Sequence, residues 1–180
     1  LPHHAMARSE MLDADGSGIA LIRVDGTAPA VSEKLALLRS EFADHDLALL
    51  EADRTDALFR EIGNGDFFAK ADSDIWRLCV PASHGHRAAQ AMDTGFWYAD
   101  WAGGLLWLEA PANDESTAKF RAITKRFGGH ATLMRASREA RASLAVFEPE
   151  APARAALTRA VKAAFDPKHI LNPGRMFEDI

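Results

Sequence analysis

Three stretches of this chain bring together side chains that could do chemistry: FGGHATLMRA at 127–136, YADWAGG at 98–104 and FDPKHILNPGRMF at 165–177. The first delivers His130 out of a turn made by Gly128 and Gly129 onto a strand that ends at Met134 and Arg135. A ring so placed either lines a pocket or is a hydrogen-bonded surface histidine. The second sets Tyr98, Asp100 and Trp101 on a pleated strand with Phe96 and Trp97. Alternation sends these rings to both faces, so those on a face without helices are candidates to meet a partner or ligand, and the others are core. In the third, the residue before Pro167 is pushed out of the α region, which stops a helix at Asp166. Asn172, Pro173 and Gly174 then predict a turn that displays Arg175, with Ile170 and Leu171 expected to anchor it to the core.

Other chemistry finds less support. Cys79, His84 and His86 lie close in sequence, but a closed zinc site needs four ligands and no second matched pair follows, so no metal is expected. His84 and His86 are read as part of a solvated loop, His3 and His4 as a frayed start, and His45 and His169 as helix-end residues. There is no G-x-G-x-x-G or G-x-x-x-x-G-K-[ST] phosphate cradle and no G-x-S-x-G elbow. Cys79 sits inside an apolar strand, where an inert thiol is the ordinary outcome.

The elements that must position these residues follow from length and pattern. With 180 residues and 48% apolar content the chain suits one compact domain, and a net charge of -5 argues against a nucleic-acid surface. One cysteine and no apolar run of about 20 residues suggest a reducing cytosol and no transmembrane segment. The opening LPHHAMARSE does not start with an initiator Met and reads as a chain entered midway. Strands are expected at 19–24, 46–52, 75–80, 95–101, 104–110 and 128–136. Helices are expected at 29–42 behind Pro29, from a cap at Asp53 or Thr55 to Ile62, from a cap at Asn113 or Ser116 to Phe127, and across 152–165. Ala102 and Gly103 make the short link of an antiparallel pair. The fold class predicted is α+β, with ferredoxin-like strand-helix repeats and a largely antiparallel sheet carrying helices on one face.

The tail AAFDPKHILNPGRMF, taken with YADWAGGLLWL and FGGHATLMRA in that order, resembles the C-terminal (cap) domain of FAD-linked oxidases of the vanillyl-alcohol-oxidase type. Within that group it is most similar to the FAD-binding E subunits of bacterial glycolate oxidases. The resemblance implies a single cap domain over 1–180, with the flavin-binding domain that holds most of the FAD absent from the chain. It implies that Asn172, Pro173, Gly174 and Arg175 face the flavin, that His130 and Arg135 serve catalysis and carboxylate binding, and that Tyr98, Asp100 and Trp101 line the substrate pocket. The implied activity is oxidation of a small 2-hydroxy acid, glycolate to glyoxylate, in a cytoplasmic complex with other glycolate-oxidase-type subunits, peripheral to the inner membrane. The isolated chain would be inactive. Related members carry a His-rich strand where this chain has YADWAGG, which leaves two other readings: a non-catalytic module docking on a flavin domain or sister subunit, or a free-standing ligand-binding domain.

Overall fold

A computed structural model describes residues 19–68, 73–94 and 96–177; His3 and His4 lie outside them. Strands β1 (Ile75–Cys79), β2 (Trp97–Asp100), β3 (Leu105–Glu109) and β4 (His130–Arg135) form one sheet in the order β2-β3-β1-β4, with every neighbouring pair antiparallel. Helix α1 (Ala28–Glu41) and helix α2 (Ala52–Asn64) precede it. Helix α3 (Gly85–Met92) links β1 to β2, and α4 (Asp114–Arg126) links β3 to β4; α5 (Arg138–Ser143) and α6 (Pro152–Phe165) follow. The order β1-α3-β2-β3-α4-β4 is the split βαβ repeat of the ferredoxin-like class.

The alternation of β1 explains the layering. Trp76 and Leu78 point to one face, where they are fully buried with Leu106, Leu108, Ala131 and Leu133 beneath Ala88 and Met92 of α3 and Phe120 of α4. The Trp76 and Phe120 rings meet edge to face at 5.3 Å. Helix α4 begins at Asn113, whose side chain accepts from the Ser116 N–H at 2.8 Å, and carries Asp114 and Glu115 in its first turn and Lys125 and Arg126 in its last, complementing its dipole. It ends at a left-handed Gly128, and Gly129 brings β4 so close to β1 that a Cβ there would lie 1.9 Å from the Cys79 carbonyl oxygen.

Among the described residues the opposite face is covered mainly at one end. Ile62 of α2 and Phe68 pack there on Ile75, Phe96 and Tyr98. Leu21 leans against the same cluster, but 19–24 and 46–50 are extended segments without sheet pairing, where strands are predicted. Their patterns need a neighbouring strand, and the outer edge of β4 is met by Val146, whose carbonyl accepts from the Leu133 N–H. The two segments instead wall a groove of about 520 Å³ with α1 and α2, leaving Leu47 and Leu49 exposed. Helix α2 starts after Glu51, so Asp53 lies in its first turn rather than at the cap. The loop predicted around His84 and His86 is a 3-10 turn leading into α3, permitted because Gly85 lacks a Cβ that would clash with the Gly103 carbonyl.

Gly129→Ala should cost about 2 kcal/mol, as overpacking against backbone does. Gly63→Ala, in open space on α2, should hold or raise stability by up to ~1 kcal/mol. Thermal unfolding of the two variants beside the parent checks both, and equal midpoints would remove the close approach as a determinant of the sheet.

Candidate functional site

The residues expected to act together are spread over three places. His130 opens β4, is exposed and lies directly opposite Cys79. Arg135 closes the same strand. Five residues at about 3.3 Å each separate the two by roughly 16 Å, more than a small hydroxy acid spans. Arg135 is also occupied: its Nη2 donates to the Phe68 carbonyl at 2.7 Å and to the Ser73 carbonyl at 3.1 Å, and its Nε donates to Ser73 at 3.3 Å. A substrate carboxylate in that fork would have to displace both carbonyls.

Tyr98, a pocket candidate by sequence, is fully buried. Its hydroxyl donates to the Ile62 carbonyl at 3.1 Å, and Phe68 stacks on its ring at 5.4 Å. Burial chiefly, helped by the Asp100 and Asp66 carboxylates, pushes its pKa above the ordinary value, so the phenol stays protonated. Of the two readings of Tyr98, core or pocket lining, the packing of α2 and Phe68 on this end of the sheet places it in the core. Asp100 caps the following turn, accepting from the Trp101 N–H at 2.7 Å. Trp101 is 60% exposed, with Trp101, Ala102 and Gly103 all at positive φ, so its indole is held outward on a strained link.

The tail is built on Asp166. Helix α6 ends at Phe165, and the buried Asp166 carboxylate accepts from the Ile170 and Leu171 N–H groups at 3.0 and 2.9 Å while pairing with Lys162 Nζ at 2.8 Å. Lys162 also donates to the Leu171 carbonyl. The Lys162 hydrogen bond first, then the two amides, hold the Asp166 pKa at about 2. Ile170 and Leu171 are exposed (70% and 58%) rather than buried, so this charged cap replaces the apolar anchor expected from sequence. The i, i+4 spacing of Lys162 and Asp166 was the available signal. Beyond it Asn172 (φ 47) and Gly174 (φ 68) make the turn, the Arg175 N–H donates to the Asn172 carbonyl at 3.3 Å, and Asn172, Pro173, Gly174 and Arg175 are all exposed.

Residues 141–176, which hold this cap and turn, match the family of FAD linked oxidases, C-terminal domain. Over 114 residues the chain is 29% identical to glycolate oxidase subunit GlcE of Escherichia coli (strain K12). Over these stretches the chain is similar to the C-terminal domain of FAD-linked oxidases. The alignment takes in 63% of the chain and 29% of that protein. No solved structure matches.

Two cavities among the described residues, lined by 20–59 and by 93–120, include neither the tail nor His130. Among the described residues no three His, Cys, Asp or Glu side chains come together as metal ligands, and no helix is long and apolar enough to cross a membrane.

Two outcomes test this geometry. Asp166 favours folding as a carboxylate: its contribution is fully present above its ordinary value of 3.8 and lost as pH falls towards about 2. The Ile170 and Leu171 amide resonances should therefore titrate near pH 2 rather than near 4, and Asp166→Asn should abolish that step. Tyr98→Phe should cost about 1 kcal/mol in urea unfolding, because the Ile62 carbonyl loses the phenol and keeps only the Gly65 N–H; an unchanged midpoint would mean that the hydroxyl is not structural.

Proposed function

We propose that this chain is the C-terminal, cap part of an FAD-dependent oxidoreductase for a small 2-hydroxy acid, glycolate to glyoxylate. It would work docked on a flavin-binding domain of the same protein and beside other subunits of a glycolate-oxidase-type complex, in the cytoplasm and peripheral to the inner membrane. One observation carries this reading. The segment matched to the oxidase family contains α6, which buries none of its residues, with Leu157, Val161 and Phe165 exposed by 65%, 51% and 83% and the polar turn at its end. An apolar ridge of this kind beside a fixed polar turn fits a contact with another domain.

FAD, when bound, supplies the acceptor for the hydride leaving the α-carbon. The hydroxyl proton needs a base, and His130, exposed at the strand end, is the group of this chain suited to hold it. Arg175 would place positive charge near the ring and Asn172 a hydrogen-bonding amide, with Pro173 and Gly174 shaping the turn. Asp100 and Trp101 would stand at the rim of the substrate side. Arg135 enters as a strut that ties β4 to the carbonyls of Phe68 and Ser73. A second reading, a non-catalytic docking module, draws on the wide separation of His130 and Arg135.

The isolated chain should retain no FAD through gel filtration, since it encodes no phosphate cradle. Leu157→Asp with Phe165→Asp should leave its thermal midpoint within ~0.5 kcal/mol of the parent, as surface changes do, while abolishing association with the flavin-binding domain. In the intact protein Arg175→Ala should lower flavin content or shift its potential. Stoichiometric FAD on the isolated chain would defeat the proposal. Loss of assembly with the helix variants, but unchanged flavin and turnover in Arg175→Ala and His130→Ala, would establish the module instead.

A further inference from the structure

We propose that the open end of the second sheet face binds the carboxylate of a small organic acid, with the Arg77 guanidinium as its anchor. The identity of the acid rests on the oxidoreductase reading above; the anion site does not.

The register builds the site. Arg77 is the middle residue of β1, opposite Trp107 on β3 and Thr132 on β4, and one pleat further on Cys79 lies opposite His130. Side-chain alternation puts all five on the face away from Trp76 and Leu78. Directly opposed neighbours have Cβ atoms about 5 Å apart and diagonal ones about 7–8 Å, so Arg77 and His130 can touch one small molecule where His130 and Arg135 cannot. Helices α3 and α4 pack on the other face, and among the described residues the α2 cluster covers Ile75, Phe96 and Tyr98 and extends as far as Trp107. At the open end His130 is exposed, Arg77, Cys79 and Trp107 are half-buried, and Thr132 is buried between the strands.

Arg77 is the unexplained group of this face. Its Nε is buried without a hydrogen-bond partner, and among the described residues no carboxylate pairs with its guanidinium. Glu109, the carboxylate nearest in register on this face, stands opposite Ile75 and makes no bond to it. A desolvated guanidinium donor without an acceptor is a costly arrangement that an incoming anion relieves. The planar fork matches a carboxylate in two parallel hydrogen bonds. A single cation in a chain of net charge -5 suits a monoanion better than a polyphosphate. The Trp107 indole, stacked on Tyr98 at 6.4 Å, gives the small acid an apolar wall, and the exposed His130, diagonal to Arg77, is the polar group that can reach a substituent on the neighbouring carbon. Arg135, already held by two carbonyls, has no such vacancy for an anion.

The test is a titration of the 15N-labelled 180-residue chain with sodium glycolate and, separately, sodium acetate, against sodium chloride at matched ionic strength. Saturable shifts of the Arg77 Nε–H, the Trp107 indole and the His130 amide are expected, with a Kd on the order of millimolar. Arg77→Gln should weaken binding by roughly tenfold or more, and Arg135→Lys should not. Should Arg77→Gln lose its native spectrum, Arg77→Lys decides, keeping the charge but not the fork and weakening binding severalfold. An unchanged Kd in the Arg77 variant, shifts confined to Arg135 or the tail, or no saturation by either acid up to roughly 50 mM overturns the proposal. Acetate binding as well as glycolate at Arg77 keeps the carboxylate site and counts against the 2-hydroxy acid. Glycolate binding elsewhere removes Arg77 and leaves that reading standing.

Discussion

The alternation along β1 is the constraint on which the rest depends. Trp76 and Leu78 are fully buried against Phe120, Leu106 and Leu133, and no other placement of those two side chains gives the sheet a core. Once they are fixed, Ile75, Arg77 and Cys79 must point the other way. A slip of one residue would drive Arg77 into the Phe120 side and bring Trp76 out, which register specification by a buried face forbids. The Gly129 contact with the Cys79 carbonyl then fixes β4 against β1. The polar face is thus positioned by the apolar one.

Much of this was legible in the sequence where local pattern and tertiary need agree. The four sheet strands, the antiparallel link through Ala102 and Gly103, the Asn113 cap and the stop at Asp166 all follow from rules that act over a few residues. The ferredoxin-like order was expected too, but from the wrong residues. Segments 19–24 and 46–50 have strand composition and no pairing partner, while α3, rich in Ala and opened by a Gly, carries no strong helix-start signal and forms because Ala88 and Met92 fill the core. Pairing and burial are non-local, and a single sequence does not display them. The site was less legible for the same reason. Exposure of Tyr98 depended on where α2 would lie, and Arg135 met two carbonyls from the far side of the chain. Arg77, a lone cation in an apolar strand, looks like an ordinary half-buried residue until the register shows what surrounds it.

The two long helices after the first strand show a division of labour. Helix α4 turns Thr117, Phe120 and Thr124 into the core and is capped at its start by a side chain. Helix α6 is of similar length and buries nothing, yet sets Leu157, Val161 and Phe165 at successive i, i+4 positions, which share one face. Within this chain those three gain nothing from being apolar, and each leaves hydrocarbon in water at about 25 cal/mol per Å². Residue types that folding does not explain are the ones that point to a contact outside the fold.

Position along α6 then couples that contact to the turn. Fourteen residues at about 1.5 Å each make a rod of roughly 21 Å, and the ridge runs to its last residue. The next residue is Asp166, whose carboxylate binds Lys162 one turn back and the amides of Ile170 and Leu171 ahead. Helix and loop are therefore joined by charge-assisted bonds rather than by a flexible link. Whatever surface takes up Leu157, Val161 and Phe165 also sets the direction in which Asn172 and Arg175 are presented. An apolar anchor through Ile170 and Leu171 would have tied the turn to this domain's own core. The Asp166 cap ties it to the exposed helix instead, so that any surface taking up the helix ridge would orient the turn as well.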